Sequence, residues 1–321
     1  MPDSNAPILL TGGAGFIGSH LADSLLAEGR PVVCVDDFND FYEPEIKRAN
    51  VAQHAANPLY TLVEADIRNL AAMRETFQRH RPAQVVHLAA RAGVRPSVEQ
   101  PLLYVETNEL GTLNLLECCR EFGVSSFIFA SSSSVFGVNS KVPFSVDDKI
   151  TCPISPYAAT KRAGELMCYT YHHLYGIHVT CLRFFTVYGP RQRPDLAIHK
   201  FARLMAAGKE IPVYGDGSMK RDFTYIADII SGVRAAMAKD YPYEILNLGN
   251  SNPISVMELV QLLEESLGMK AQIAWRPVPP GDVPITYADI ARTTDLLGYK
   301  VTVPFTLGIR KFAQWFLDRR R

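Results

Sequence analysis

The 321-residue sequence predicts an α/β fold, with a doubly wound parallel sheet and a smaller C-terminal α/β domain. Strand-like apolar runs alternate with helix-like segments through the first 180 residues, and a glycine cluster directly follows the first run. Such alternation implies right-handed crossovers and a sheet with helices on both faces. We expect a first domain over residues 1–182, joined by 224–250, and a second, discontinuous domain over 183–321.

The composition is that of a globular protein without a polyanionic partner. Hydrophobic residues make up 47% and charged residues 21%, and 33 basic residues balance 33 acidic ones. Because no basic excess is present to neutralise phosphates, nucleic-acid binding and membrane-surface binding are not expected.

No apolar run approaches the ~20 residues that a membrane span needs. The first seven residues are polar and do not resemble a leader segment. The six cysteines form no Cys-x-x-Cys pair, so we expect free thiols, a cytoplasmic location and no metal site.

The elements follow from apolar runs that end at glycine, aspartate or serine. The predicted strands of the first domain cover residues 7–11, 31–36, 59–63, 84–88, 126–131 and 177–182. The predicted helices cover residues 17–28, 43–55, 69–80, 102–122 and 156–175, with 255–267 and 307–319 in the second domain. In such sheets ligands bind beyond the carboxyl ends of the strands.

A glycine turn follows the first strand, with the spacing Gly-x-x-Gly-x-x-Gly. Gly12 permits a tight turn, Gly15 lets a pyrophosphate approach the backbone, and Gly18 allows the following helix to pack closely on the sheet. The helix N-terminus offers N–H groups and a positive dipole end to phosphates. The turn therefore predicts a dinucleotide site.

The second strand ends in Asp36, eighteen residues after Gly18. A carboxylate here can accept both hydroxyls of an adenosine ribose and would repel a 2′-phosphate. No arginine follows immediately, so the sequence predicts NAD rather than NADP.

Further polar or small residues follow the later strands. The stretch from Leu88 through Ala89 and Ala90 lets the backbone approach a dinucleotide, and Arg95 is placed to reach an anionic substrate. Four serines, 131–134, end the fifth strand. Tyr157 and Lys161 then form a Tyr-x-x-x-Lys pair on one face of a helix.

The order of these motifs resembles that of the extended short-chain dehydrogenase/reductase family, and particularly its NAD-dependent sugar-nucleotide epimerases and dehydratases. The resemblance covers essentially the whole chain and implies a Rossmann-type NAD domain followed by a nucleotide-sugar domain. It implies NAD contacts from Gly12, Gly15, Phe16, Ile17, Gly18, Asp36, Asp66, Ile67, Leu88, Ala89, Ala90, Asn108, Ser131, Tyr157 and Lys161.

The resemblance also implies the catalytic roles. Tyr157 would remove a hydroxyl proton while the same carbon gives hydride to NAD, and Ser132 would hydrogen-bond that oxygen. A phenol ionises near pH 10, so the Lys161 cation would favour the phenolate. Family dehydratases carry Asp-Glu where Ser133 and Ser134 stand here, so elimination lacks its acid and base and 4-epimerisation remains.

The segment from Arg183 to Ala197 resembles members that epimerise UDP-glucuronate. A uronate carboxylate favours hydroxyl donors and a cation, which Ser133, Ser134, Thr186 and Arg193 could supply. The same reasoning also fits Arg193 as a diphosphate ligand, so both roles stay open.

By the same resemblance, Arg221 is the candidate diphosphate ligand and Asp282 the candidate uridine-ribose ligand. The helices 102–122 and 156–175 would pair in a homodimer.

Two alternative functions stay open. One is a 4-epimerase for UDP-glucose or UDP-N-acetylglucosamine, and the other is a non-catalytic nucleotide-sensing protein.

Overall fold

A computed structural model describes residues 6–139, 141–278 and 283–319 of the chain. The described helices, numbered in chain order, are α1 (Phe16–Ala27), α2 (Pro44–Val51), α3 (Leu70–His80), α4 (Val94–Glu99), α5 (Pro101–Tyr104), α6 (Gly111–Phe122), α7 (Pro156–Tyr175), α8 (Ala197–Ala206), α9 (Ile226–Met237), α10 (Val256–Leu267), α11 (Ala291–Leu297) and α12 (Phe305–Asp318). Short 3-10 turns cover Ala52–His54 and Ser133–Phe136, and a π-helix covers Val105–Leu110.

The described strands are β1 (Ile8–Thr11), β2 (Val32–Asp36), β3 (Tyr60–Glu64), β4 (Gln84–His87), β5 (Ser126–Ser132), β6 (His178–Phe184), β7 (Thr186–Tyr188), β8 (Ile211–Tyr214), β9 (Lys220–Tyr225), β10 (Tyr243–Leu248), β11 (Pro253–Ser255), β12 (Ile273–Arg276) and β13 (Ile285–Thr286). The six strands predicted for the first domain are all present, with ends shifted by no more than two residues.

The chain divides into two compact units. The first comprises residues 1–137, 149–183 and 233–246, and the second comprises 138–148, 184–232 and 247–321. These limits differ from the expected ones, because residues 224–232 and 247–250 cluster with the second unit rather than the first. Residues 138–148 also cluster with the second unit. The sequence composition did not indicate that this short segment, which lies between two segments of the first unit, belongs to the second unit.

A seven-stranded sheet carries the first unit, in the order β10-β6-β5-β4-β1-β2-β3. Strand β1 pairs in parallel with both β2 and β4, and the outer pairs β2–β3 and β4–β5 are also parallel. The chain moves outward from β1 to β3 and then crosses to the other side of β1, which makes the carboxyl ends of β1 and β4 a topological switch point. The predicted doubly wound α/β fold is confirmed.

The core of the first unit explains why its strands read as continuous apolar runs. All four residues of β1 are buried, as are all five of β2, because helices cover both faces of a parallel sheet. Side chains such as Leu9, Val85, Phe127 and Val179 belong to one buried cluster with residues of α3, α6 and α7.

Helix α7 has clear sequence signals at both ends. The Ser155 hydroxyl accepts a hydrogen bond from Ala158 N at 3.1 Å, and Pro156 occupies the first helical position. Gly176 ends the helix in the left-handed conformation, with φ +69°. Helix α7 packs against β5 and the 3-10 turn that follows it.

The predicted helix over 102–122 is not one regular helix. Helix α5 runs into the π-helix Val105–Leu110, and a regular α-helix resumes only at Gly111. The π-helix contains Asn108, and wide turns of this kind are uncommon and recur at functional sites. The hydrophobic pattern did not reveal this widening.

The second unit has a four-stranded sheet, in which β9 lies between β11 and β13 and also pairs with β7. Strands β8 and β12 form a separate parallel pair. Asp222 in β9 is fully buried and accepts hydrogen bonds from the backbone N–H groups of Asn250, Ser251 and Ala288. One carboxylate therefore joins three segments of this unit. Within the residues that the structure describes, no helix is both long and apolar enough to cross a membrane.

Candidate active site

The turn after β1 is built so tightly that side chains would not fit. Gly12 has φ +67°, and a Cβ atom there would lie 2.7 Å from Ala89 N. A Cβ atom at Gly18 would lie 2.2 Å from Gly12 O, so this glycine lets α1 approach the turn itself rather than the sheet. At Gly15 an added Cβ would meet Gly12 O at 3.2 Å, and its next neighbour within reach is the Tyr42 hydroxyl at 4.0 Å.

Backbone hydrogen bonds fix the turn in place. Gly12 N donates to Val35 O at 2.7 Å, and Leu88 N donates to Thr11 O at 3.1 Å. Gly15 is the N-cap of α1 and has no side chain to cap the helix, so the first-turn N–H groups of this twelve-residue helix suit an anionic ligand. The geometry of the turn therefore fits the pyrophosphate of a dinucleotide.

Asp36 ends β2 beside this turn. Its carboxylate accepts hydrogen bonds from Ala14 N at 3.1 Å and Phe38 N at 3.0 Å. The Lys47 ammonium lies 3.3 Å from the same carboxylate. Burial raises the pKa of Asp36, and the Lys47 charge opposes that rise. The lysine is eleven residues from Asp36 and was not predicted as part of the site.

Asp66 and Ile67 follow β3. Burial opposes the ionisation of Asp66, but hydrogen bonds from Arg68 outweigh it and the pKa of Asp66 is lowered. Arg68 Nη2 lies 2.6 Å from the carboxylate. Ile67 is buried against Gly111, where an added Cβ would lie 2.5 Å from its Cδ1 atom. This close contact holds the Ile67 side chain against Gly111, the first residue of α6.

His87 ends β4 directly beside the end of β1. Its Nδ1 atom is 2.7 Å from the Thr11 hydroxyl, and its Nε2 atom is 2.9 Å from the Thr112 hydroxyl. Burial, together with the Lys161 charge, lowers the pKa of His87 to about 3, so the imidazole is neutral at pH 7. His87 therefore ties the glycine-turn strand to helix α6.

The half-buried residues Leu88, Ala89 and Ala90 continue from β4 towards Asn108. The Asn108 amide donates to Arg91 O at 3.0 Å and accepts from Arg91 N at 2.8 Å. The same amide nitrogen donates to the Thr160 hydroxyl at 3.0 Å. Asn108 thus connects the loop after β4 with helix α7.

Ser132 ends β5 and is the N-cap of the following 3-10 turn. Its hydroxyl oxygen accepts hydrogen bonds from Ser134 N at 3.2 Å and from the Ser134 hydroxyl at 3.0 Å. A hydroxyl has two acceptor positions and one hydrogen to donate, so these two bonds use its acceptor positions. Ser133 is half-buried in the same turn.

Tyr157 and Lys161 lie in the first turns of α7. The Tyr157 ring contacts the Tyr104 ring edge-to-face, with centroids 6.2 Å apart. Lys161 Nζ donates to Ala130 O at 2.7 Å and lies 5.1 Å from the Phe129 ring centroid. Burial lowers the pKa of Lys161 to about 8, so the ammonium is still largely protonated at pH 7.

A buried ion pair lies one helical turn beyond Lys161. The Glu165 carboxylate accepts two hydrogen bonds from the Arg183 guanidinium, at 2.8 and 2.9 Å, and one from the Ser131 hydroxyl at 2.6 Å. Arg162 also donates to Glu165, at 2.8 Å. This network joins α7 to β5 immediately before Ser132. Its long-range pairing carries no local sequence signal.

Thr186 and Arg193 belong to the second unit. Thr186 begins β7 and lies opposite Phe223 in β9. The Arg193 guanidinium makes two hydrogen bonds to the Asp195 carboxylate, at 2.9 and 2.8 Å. Arg193 therefore already has a carboxylate partner two residues away, which the sequence reading did not include.

The remaining predicted substrate residues are Arg221, Asp282 and Arg95. Arg221 Nη1 donates to the carbonyl oxygens of Lys220 and Val283, each at 2.9 Å. Arg95 is exposed on α4 in the first unit. Asp282 lies outside the described residues.

Comparison with known proteins gives one consistent result. The family model described as GDP-mannose 4,6 dehydratase matches residues 9–312. A UDP-glucuronate 4-epimerase of Thermodesulfobacterium geofontis is 42% identical, over 96% of this chain and 95% of that one.

Solved structures agree with these sequence matches. The UDP-glucuronic acid 4-epimerase of Bacillus cereus, in complex with UDP-glucuronic acid and NAD, has a TM-score of 0.92 at 36% identity, covering 98% of this chain and 99% of that one. The UDP-glucose 4-epimerase of Thermotoga maritima, with UDP-glucose, has a TM-score of 0.90 at 34% identity, covering 98% and 100%. The chain therefore belongs to the family of NAD-dependent nucleotide-sugar epimerases and dehydratases.

Proposed function

We propose that this protein is a UDP-glucuronate 4-epimerase, which interconverts UDP-glucuronate and UDP-galacturonate with bound NAD. The observation that carries the proposal is the turn after β5, where Ser132, Ser133 and Ser134 offer hydroxyl groups and no carboxylate. Elimination of water needs an acid and a base beside the sugar, and this turn contains neither. The relatives named UDP-glucuronate 4-epimerase support the same reaction.

In the proposed mechanism, Tyr157 takes the proton of the C4 hydroxyl as C4 becomes a ketone. Bound NAD supplies the oxidation at C4 and the later reduction of the same carbon. Tyr157 returns the proton when C4 is reduced on its opposite face, so the net reaction only inverts C4. The Lys161 ammonium favours the phenolate form of Tyr157 electrostatically. Ser132 donates its hydroxyl hydrogen to the C4 oxygen.

The proposed NAD contacts are those of the first unit. The first-turn N–H groups of α1 would hold the pyrophosphate, Asp36 the adenosine ribose, and Lys161 the nicotinamide ribose. Asp66 and Ile67 would hold the adenine. The glycine turn supports this assignment because backbone fills the space that side chains would need at Gly12 and Gly18.

We also propose how the sugar carboxylate is held. Ser133 and Thr186 would donate hydroxyl hydrogens to it, Ser134 would do so on giving up its hydrogen bond to Ser132, and Arg193 would supply a cation. The 4-keto sugar is a β-keto acid. Such an acid loses CO₂ when the bond between C5 and the carboxyl carbon lies parallel to the π orbitals of the C4 ketone. A carboxylate that is held so that this bond lies outside that alignment resists decarboxylation. The Asp195 carboxylate, which pairs with Arg193 at 2.8 Å, would orient the guanidinium for this role.

The other contacts remain proposals of the same kind. Arg221 and Arg95 would contact the diphosphate or another anionic group of the substrate, and Asp282 the uridine ribose.

We propose that the first unit binds NAD, that the second binds the UDP-sugar, and that the protein works in the cytoplasm as a homodimer. Exposed Leu102 on α5 and exposed Leu166 and Leu174 on α7 support pairing of these helices between copies.

The test is to incubate the purified protein, without added NAD, with UDP-glucuronate, UDP-glucose or UDP-N-acetylglucosamine and to identify products by NMR. We expect UDP-galacturonate from the first substrate and no product from the other two. Tyr157→Phe serves as the inactive control and should retain NAD. Epimerisation of the neutral sugars alone would overturn the substrate assignment, and UDP-pentose as main product would overturn the reaction.

The carboxylate contacts have a separate test in the product ratio. Thr186→Ala and Arg193→Ala should each raise the fraction of UDP-pentose relative to UDP-galacturonate, because a carboxylate that is no longer held lets the C5–carboxyl bond move into the alignment that releases CO₂. The matched control is Arg203→Ala, which removes a cation from α8 that has no proposed substrate contact. An unchanged product ratio in both variants would contradict this role.

A further inference from the structure

We propose that the buried Glu165–Arg183 ion pair positions the serine segment, residues 131–136, and thereby keeps the Ser132 hydroxyl aligned with helix α7. Glu165 and Arg183 are positioning residues in this proposal, because they act through the serine segment and not by contact with the substrate. The inference rests on the proposed catalytic role of Ser132, and the experiments below separate the failure of one from the failure of the other.

The Glu165 carboxylate is held by hydrogen bonds on both of its oxygen atoms. Its side chain is fully buried, and that of Arg183 is 2% exposed. Oε1 accepts from Arg183 Nε at 2.8 Å and from the Ser131 hydroxyl at 2.6 Å. Oε2 accepts from Arg183 Nη2 at 2.9 Å and from Arg162 Nη1 at 2.8 Å. A carboxylate has about four acceptor positions, so these bonds occupy all of them and prevent the group from turning.

Helix α7 attaches to two consecutive residues at the end of β5. Lys161 Nζ donates to Ala130 O at 2.7 Å. One helical turn later, Glu165 accepts the hydroxyl hydrogen of Ser131. A single hydrogen bond would leave the end of the strand free to rotate about it, and the second bond removes that freedom. The two bonds together fix the position and the rotation of the strand immediately before Ser132.

Arg183, the other member of the pair, contacts the far end of the serine segment. It lies in β6, which neighbours β5 in the sheet. Its guanidinium carbon is 4.9 Å from the ring centroid of Phe136, a buried residue at the end of the 3-10 turn. Between the two contacts, Ser132 Oγ accepts from Ser134 N at 3.2 Å. The ion pair therefore holds the segment before Ser132 through Ser131 and after it through Phe136.

A gain in stability alone does not account for a charged pair in this position. The desolvation of two charges offsets much of their attraction, and apolar side chains of similar volume often replace such a pair without loss of stability. Apolar side chains cannot, however, accept the Ser131 hydroxyl hydrogen. Burial opposes the ionisation of Glu165, but hydrogen bonds from Arg183 outweigh it, so its pKa is lowered and the acceptor stays charged at neutral pH. Stability and positioning can therefore be separated by substitution.

The first experiment uses Ser131→Ala, which removes the hydroxyl link and keeps both charges of the ion pair. We expect kcat per bound NAD for UDP-glucuronate to fall by about 10-fold or more, because a displaced Ser132 weakens a contact made in the transition state. KM should stay within about threefold of the native value. The matched control is Tyr171→Phe, which removes another hydroxyl–carboxylate bond of α7, to Glu117 on α6, and should leave kcat unchanged. A native kcat in Ser131→Ala would overturn the proposal.

The same substitution in a Ser132→Ala background tests whether the effect passes through Ser132. We expect Ser131→Ala to lower kcat by less than about twofold further in that background, because the hydroxyl that it positions is already absent. An equal loss in both backgrounds would show that Ser131 acts on NAD or on another catalytic group, and would overturn the proposal.

The double variant Glu165→Met/Arg183→Met separates positioning from stability. We expect a melting temperature close to the native one, because both charges leave together, and a kcat at least as low as that of Ser131→Ala. A folded double variant with native kcat would contradict the role of the pair. If this variant does not fold, the Ser131→Ala measurements decide the proposal by themselves.

Hydrogen exchange in peptides covering residues 131–137 gives a readout that needs no substrate. Exchange should be faster than native in Ser131→Ala and in the double variant, and native exchange in both would overturn the proposal. The proposed function fails separately, when the native protein makes no UDP-galacturonate from UDP-glucuronate. In that case the exchange measurement still decides whether the ion pair holds the serine segment.

Discussion

At the scale of single residues, the main electrostatic feature is a lysine that keeps its charge in a buried position. Lys161 is buried, and its pKa is lowered to about 8, which leaves the ammonium protonated at neutral pH. Its hydrogen bond to Ala130 O fixes the charge at the end of β5, next to the proposed catalytic serine. A fixed cation is useful here because a phenol ionises only near pH 10 in water.

Lys161→Met should therefore change the pH dependence of the reaction as well as its rate. Without the cation, Tyr157 ionises less easily, so kcat at pH 7 should fall by about 100-fold or more and recover partly as pH rises. The measurement is kcat for UDP-glucuronate from pH 6 to 10, with NAD content determined for each preparation. A variant with a native pH profile would show that the charge has no part in activating the tyrosine.

Local pattern was enough to predict Tyr157, Lys161 and Asp36 on the elements where they are found, because each follows a strand or begins a helix. It was insufficient for Lys47, Glu165 and Asp195. The first two lie on buried helix faces, and their partners depend on how the helices pack against the sheet. Asp195 is only two residues from Arg193, but the sequence did not show that these side chains pair.

At the scale of elements, strand β1, the glycine turn and helix α1 form one closely packed motif. Gly12 allows the left-handed turn and Gly18 allows α1 to approach it. The sequence predicted this arrangement correctly apart from one detail, since Gly18 faces the turn and not the sheet. The detail depends on how α1 meets the turn, which glycine spacing alone does not specify.

Gly18→Ala should weaken NAD binding and lower the melting temperature, because the new Cβ would lie 2.2 Å from Gly12 O. The control is Gly29→Ala, which has φ +73° and nothing within 4 Å of the added carbon. The control should cost only the strain of a left-handed backbone, about 1 kcal/mol, and keep its NAD affinity. Calorimetric NAD titration and thermal unfolding measure both effects. If the two variants lost NAD affinity equally, the close approach at Gly18 would not be the cause.

At the scale of the whole molecule, buried polar contacts between distant segments connect stability to pH. His87 joins β1, β4 and α6, and burial lowers its pKa to about 3 in the folded protein, against about 6.5 for an ordinary histidine. The unfolded chain binds a proton below pH 6.5 that the folded chain takes up only near pH 3. Folding therefore excludes this proton, and the stability contribution is lost as pH falls through that window.

We predict that His87 makes the protein about 2 kcal/mol less stable at pH 5 than at pH 7. His87→Gln removes the titrating group, so its loss of stability between the two pH values should be smaller by that amount. Denaturant unfolding of both proteins at pH 7 and pH 5 checks the prediction. The comparison uses the difference between the two pH values, so a lower stability of the variant at pH 7 does not affect it. Equal losses in the two proteins would contradict the assignment to His87.

The π-helix at Val105–Leu110 has a consequence for how this stretch is aligned and numbered. A wide turn holds one residue more than an α-helical turn, and one residue corresponds to about 100° of rotation about the axis. Positions before Val105 are therefore out of phase with those after Leu110. A gap-free alignment to a relative with an uninterrupted α-helix would misassign every position on one side. The deletion of one residue within 105–107 would restore the phase and rotate Pro101–Tyr104 relative to α6.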